Sequence, residues 1–122
     1  MPTLRQRFAF QQLEVYQVAK AVAQLTIDQR RLWANVGGGM PERLATAMTS
    51  LLTEIAAGAA QVQRVDQRRY FQAARSNCSE AMSCIEVAHL HAVLPSELRA
   101  SLSIQLTRVD AMLNGMIRRR AS

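Results

Sequence analysis

Apolar residues recur at spacings of three and four along four segments of the chain, and this period constrains the fold more than any other feature. The clearest example is the last segment, with Leu98, Leu102, Leu106, Val109, Leu113 and Met116. Such spacing places the apolar side chains on one face of an α-helix, because successive residues turn by about 100°. No segment shows the alternation of a β-strand, so the sequence predicts an all-α protein.

Glycine and proline divide the chain into four predicted helices. Three consecutive glycines, residues 37–39, end the first segment, and Pro41 and Pro95 stand at the expected starts of the second and fourth. Glycine ends helices readily, and proline is tolerated in the first turn because the N–H groups there have no partner within the helix. The predicted helices span about residues 10–35, 41–64, 66–91 and 95–119 of a single domain, residues 1–122.

Short connections separate the later helices from one another. A connection of a few residues returns the next helix alongside the previous one, in the opposite direction. We therefore expect an antiparallel, up-down-up-down four-helix bundle.

The first predicted helix is more apolar than one bundle core requires. Between Val15 and Ala23 only Gln17 and Lys20 are polar. Either this helix packs at the centre of the bundle, or it also buries a second face against another copy of the chain. We favour homo-oligomerisation, with the interface residues Val15, Val18 and Val22.

Arginine supplies nearly all of the positive charge, because the net charge is +6 and Lys20 is the only lysine. In the expected bundle, the start of the first helix, the loop between helices two and three and the C-terminus meet at one end. The charges at the other end cancel, whereas this end carries eight arginines against Glu14 and Asp66. We call the eight the arginine pole: Arg5, Arg7, Arg64, Arg68, Arg69, Arg118, Arg119 and Arg120.

The arginine pole predicts binding to a polyanion. Clustered like charges create a positive potential that attracts phosphate, and guanidinium planes also stack on unpaired bases. RNA or DNA is therefore the predicted partner, bound with weak sequence preference and strong salt dependence. The alternative is that these arginines are solvated ends that complement the helix dipoles and bind nothing.

No pattern predicts catalysis, a metal site or a cofactor. Glu86-x-x-His89 resembles half of a di-iron site, but such a site needs two of these pairs and the chain has only two histidines. Cys78 and Cys84 point in different directions on a helix, which prevents a disulfide, so we expect buried thiols in a cytoplasmic protein. No apolar run is long enough to span a membrane, and no membrane partner is expected.

Two motifs carry a family resemblance. The first helix reads Phe10-x-x-Leu13-x-Val15-Tyr16-Gln17-x-Ala19, and residues 50–58 are followed at a matching distance by residues 70–74 and Glu80. These motifs resemble the four-helix-bundle family named after the intervening-sequence protein of 23S ribosomal RNA genes, to which the accessory protein of diversity-generating retroelements is similar. The resemblance implies a ring, a pentamer, that binds RNA, DNA or a nucleic-acid enzyme. An oligomeric scaffold for a protein partner is the alternative.

Overall fold

The computed structural model describes residues 8–121, and this part of the chain contains four α-helices and no strand. The helices are α1 (Glu14–Asp28), α2 (Met40–Ala59), α3 (Arg64–Leu90) and α4 (Ser96–Arg119). Two short 3-10 turns, Ala9–Gln12 and Arg30–Trp33, lie before and after α1. The prediction of an all-α fold is confirmed.

One apolar core receives side chains from all four helices. The apolar stripe predicted for α4 is buried from Leu102 to Met116, and the stripes of α2 and α3 face it with Leu51, Ile55 and Phe71. Each fully buried side chain of this size contributes roughly 1.5–3 kcal/mol relative to an exposed one. The three- and four-residue spacing therefore identified the buried faces of these helices.

The first helix is shorter than predicted. It ends at Asp28 rather than near Asn35, because the chain turns through Arg30–Trp33 and places Trp33 and Val36 in the core. Burying an indole ring removes on the order of 200 Å² of surface from water. That gain exceeds what one more exposed helical turn would provide.

The second helix also ends early, at Ala59, and Arg64 instead begins α3. Two glutamine side chains satisfy backbone carbonyls at this point. Gln61 Nε2 donates to the Ala57 carbonyl at 3.1 Å, and Gln67 Nε2 donates to the Gln61 carbonyl at 2.8 Å. These bonds join the connection to the last turn of α2 and to the first turn of α3, and so stabilise the turn between the two helices.

Contacts between neighbouring helices pair their residues in opposite order. As the residue number rises along one helix, the number of its partner on the other helix falls. Along α2, the pairs with α3 are Arg43 with Glu80, Glu54 with Asn77, and Gly58 with Phe71. Along α3, the pairs with α4 are Gln67 with Arg120, Arg75 with Asp110, and Glu86 with Arg99. These contacts bring the end of α2, the start of α3 and the end of α4 together.

Two of the three valines predicted at an oligomer interface lie in the core of the single chain. Val15 is 3% exposed and Val22 is 2% exposed, so almost no surface of either remains for a second copy. Val18 is half-buried and lines a groove between α1 and α4. Packing within one chain thus corrects the assignment of Val15 and Val22.

Candidate nucleic-acid interface

The arginine pole occupies two adjoining helix ends. Three of its arginines lie in the first two turns of α3, and three lie in or directly after the last turn of α4. They are Arg64, Arg68 and Arg69 in α3, and Arg118, Arg119 and Arg120 at the end of α4. The other two predicted members, Arg5 and Arg7, lie outside the described residues.

Arg120 joins these two helix ends. Its Nε donates to Gln67 Oε1 at 2.9 Å, and its Nη1 donates to the Met116 carbonyl at 3.0 Å. The guanidinium carbon lies 5.0 Å from the centre of the Phe71 ring, within the range of a cation–π contact. Three contacts therefore hold a side chain that a helix end usually leaves free.

Gly58 makes room for the aromatic ring that supports Arg120. Phe71 is 1% exposed, and a Cβ atom at position 58 would lie 2.6 Å from its Cε1 atom. A side chain at position 58 would therefore displace the ring. Gly58 in α2 contacts Phe71 in α3, and Phe71 contacts Arg120, the pole residue that directly follows α4.

Positive charge at the pole is poorly compensated within the described residues. Arg69 pairs with Asp66, and the other five described arginines of the pole make no ion pair with an acidic side chain in residues 8–121. Burial lowers the pKa of Arg120, and the charges of Arg119 and Arg64 lower it further. The positive charges of Arg64 and Arg119 therefore disfavour the charged form of the Arg120 guanidinium.

Arginines elsewhere are used mostly in contacts within the chain. Arg75 donates to both carboxylate oxygens of Asp110, at 2.9 and 3.5 Å, and to Asn114 Oδ1 at 3.0 Å. The other ion pairs are Arg43 with Glu80 at 3.6 Å, Arg99 with Glu86 at 3.8 Å and Arg108 with Glu14 at 3.1 Å. Unpaired positive charge is thus concentrated at the pole.

Two exposed valines add apolar surface beside the arginines. Val62, in the loop between α2 and α3, is 89% exposed, and Val65, in the first turn of α3, is 59% exposed. Both lie within two residues of Arg64 in the sequence. The pole therefore offers cations for phosphate groups and aliphatic side chains for the flat faces of unpaired bases.

The cysteines and the mid-helix carboxylate are structural groups. Both thiols are free and buried, and burial raises the pKa of the Cys78 thiol to about 11. Glu54 accepts a hydrogen bond from Asn77 Nδ2 at 2.7 Å, which links α2 to α3. Within residues 8–121, no three His, Cys, Asp or Glu side chains gather as metal ligands would. None of the helices there combines the length and the apolar character needed to cross a bilayer.

An apolar groove lies between α1 and α2. Its volume is about 650 Å³, and Ile27, on its edge, is 52% exposed. The hydroxyls of Thr26 and Thr49 donate to carbonyls of their own helices, which leaves the walls apolar. The large side chains that line it are Ile27, Trp33, Leu44, Met48 and Leu52, with Arg30, Arg31 and Glu42 at the rim.

Two of these features were not predicted from the sequence. The groove was not predicted because residue spacing shows which face of a helix is apolar and does not show how far apart two helices lie. The contacts that hold Arg120 were not predicted because Gln67 and Phe71 match ordinary positions of an amphipathic helix. The one available signal was Gly58, a glycine within an alanine-rich helical segment, which usually has a packing reason.

Comparison with known proteins adds no family. No protein-family model matches the chain, and no curated protein matches it. The resemblance to the family of the 23S ribosomal RNA intervening-sequence protein stays a prediction that depends on its two motifs.

Proposed function

We propose that the protein is a non-enzymatic, homo-oligomeric helical bundle that binds nucleic acid, or an enzyme acting on nucleic acid, through its arginine pole. One observation carries the proposal: five arginines of the pole have no acidic partner within the described residues, whereas most arginines elsewhere are paired. Holding unpaired guanidinium groups together costs electrostatic free energy. A bound polyanion removes that cost, which is the physical reason to expect one.

The chemistry of this surface favours phosphate contacts over the reading of base edges. Guanidinium groups on two helix ends can each bind a phosphate oxygen pair, and this interaction carries no sequence information. The exposed side chains of Val62 and Val65 favour unpaired strands, whose base faces are open to contact. Single-stranded RNA is therefore the appropriate first probe.

The test is the joint substitution Arg64→Ala, Arg68→Ala and Arg69→Ala. We expect weaker binding to single-stranded RNA, measured by fluorescence anisotropy. The slope of log affinity against log salt should also flatten by about two, because each phosphate contact on a single strand contributes roughly 0.7.

A control with the same change of charge is Lys20→Ala, Arg43→Ala and Arg108→Ala, three exposed cations outside both the pole and the groove between α1 and α2. It should keep most of the affinity and the slope of the parent protein. Circular dichroism establishes that both variants are folded. If the parent protein shows no RNA binding at low salt, the proposal fails.

The proposal includes an antiparallel, up-down-up-down path and a ring of copies. The opposite order of paired residues along α2 and α3, and along α3 and α4, supports the path. The family resemblance supports a ring, a pentamer, in which the poles of several copies combine into a larger positive surface. The two free thiols support a cytoplasmic location.

An oligomeric protein-interaction scaffold is the second candidate, and the groove between α1 and α2 favours it. We assign a second copy of the chain as the occupant of this groove. The rim carries charges of both signs, Arg30 and Arg31 with Glu42, which can pair with opposite charges on a neighbouring copy. This assignment moves the proposed interface from Val15 and Val22, which are buried within one chain, to Ile27 and its neighbours.

A further inference from the structure

Arg120 is the arginine of the pole that the structure holds in place. Gln67 occupies its Nε, the Met116 carbonyl occupies its Nη1, and the Phe71 ring covers one face. Its Nη2 makes no hydrogen bond within the described residues. The guanidinium group is therefore fixed in position, with its Nη2 still able to donate.

Two exposed arginines accompany Arg120. Arg64 begins α3 and lies about one helical turn before Gln67, the residue that binds Arg120, and Arg119 ends α4 directly before Arg120. The nearest carboxylate in the sequence, Asp66, already pairs with Arg69. Three neighbouring arginines from two helix ends thus have no acidic partner among residues 8–121.

We propose that Arg64, Arg119 and Arg120 form a discrete site for the phosphomonoester at the end of a nucleic-acid strand. The inference rests on the proposed function and names the part of the nucleic acid that this corner of the pole binds. A phosphodiester within a strand carries one negative charge. A terminal phosphate carries about −1.5 to −2 at pH 7 and has three acceptor oxygens.

Charge and geometry both favour the strand end over its interior. Three cations match a dianion more closely than they match a singly charged diester. Because Arg120 is already ordered, binding loses less side-chain entropy at this position than at a mobile arginine. Arg120 contributes its free Nη2, and Arg64 and Arg119 can each present paired N–H groups in a plane, which suits the oxygens of a phosphate.

The experiment compares two RNA oligonucleotides of the same unpaired sequence, one with a 5′-phosphate and one with a 5′-hydroxyl, labelled at the other end. The parent protein should bind the phosphorylated strand about tenfold more tightly, since one charge-assisted contact of ordinary strength gives such a ratio. The preference should shrink as the pH falls below about 6, where the terminal phosphate takes up its second proton.

The variants locate the site within the protein. Arg120→Lys keeps the charge but loses the planar group that Phe71 and Gln67 hold, and it should lose most of the preference for the phosphorylated strand. Arg119→Gln should act in the same direction. Arg31→Gln, an exposed arginine outside the pole, should keep the preference and is the matched control.

The outcomes separate this inference from the proposed function. Equal affinity of the parent protein for the two strands overturns the terminal-phosphate site and leaves nucleic-acid binding intact. No binding of either strand at low salt overturns both. Inorganic phosphate at matched ionic strength is a further arm: if it binds as tightly as the phosphorylated strand, the site holds free phosphate and the assignment to a strand end is wrong.

Discussion

Glu54 shows how one buried oxygen contributes to the pH dependence of this fold. Its Oε1 accepts the hydrogen bond from Asn77, whereas its Oε2 is buried without a partner. Burial raises the pKa of the Glu54 carboxyl, and the Asn77 bond partly opposes that shift. A carboxyl with a raised pKa binds its proton more tightly in the folded state than in the unfolded chain. The ionised form of Glu54 therefore lowers stability.

We predict that Glu54→Gln gains stability relative to the parent protein as the pH rises. In the parent protein, the contribution of Glu54 to stability falls as the pH rises from 4.5, the ordinary value for this carboxyl, through the raised pKa of the folded state. Glutamine keeps the acceptor for Asn77 and does not ionise, so its variant lacks this fall. Urea denaturation at several pH values from about 4 to about 7 measures the difference.

The control for this prediction is Glu42→Gln, at an exposed position in the first turn of the same helix. It should follow the pH profile of the parent protein. Parallel profiles for the parent and Glu54→Gln would show that the buried oxygen has no energetic consequence.

At the scale of the helices, residue spacing predicted the buried faces but not the ends. The stripe of α4 was found correctly because its period depends only on residues near one another in the sequence. The early end of α1 depends on Trp33 reaching the core, and the early end of α2 depends on Gln61 and Gln67 capturing carbonyls. Such contacts join residues that become neighbours only in the fold.

The sequence predicted that arginines cluster at the candidate site, but it did not predict the contacts that hold them. The short connection between helices two and three was enough to place Arg64 near the C-terminal arginines. The order at Arg120 depends on a glutamine and an aromatic ring on another helix, and on the absence of a side chain at Gly58. No local pattern distinguishes those residues from an ordinary helix face.

Gly58, a glycine within α2, provides a test of how α2 packs on α3. We predict that Gly58→Ala destabilises the protein by about 1–2 kcal/mol, because the cost of displacing a buried ring exceeds the helix propensity gained. The new Cβ would lie 2.6 Å from Phe71 Cε1. Because Phe71 also supports Arg120, the variant should lose part of its RNA affinity. Urea denaturation gives the stability, and anisotropy gives the affinity.

Gly115→Ala is the matched control in α4. The nearest atom to its added Cβ is Arg119 Nη1 at 3.3 Å, the end of a flexible side chain that can move aside. This variant should be unchanged or more stable, by up to about 1 kcal/mol. If both alanine variants gain stability, the close approach of Phe71 to Gly58 imposes no constraint on the packing.

The whole molecule carries two surfaces that involve different residues. The arginine pole lies at the start of α3 and the end of α4, whereas the apolar groove lies between α1 and α2. The proposed nucleic-acid binding and the proposed assembly therefore depend on different residues. If copies assemble through the groove, their poles act together, and the affinity for a strand that reaches several of them rises through effective concentration.

We predict that Ile27→Glu converts the assembled protein to single chains, because it places a charge at the edge of an apolar interface. Ile104→Glu is the control, since Ile104 is 63% exposed and lies outside the groove. Light scattering measures the mass of the protein particle at two salt concentrations, with and without nuclease. The nuclease removes any co-purified nucleic acid that would add to this mass. A parent protein that is already a single chain, or an Ile27→Glu variant with the parent's mass, would exclude the groove as an interface.

The single chains should retain the preference for a terminal phosphate, which one pole provides, while their affinity for long strands falls because adjacent poles are lost.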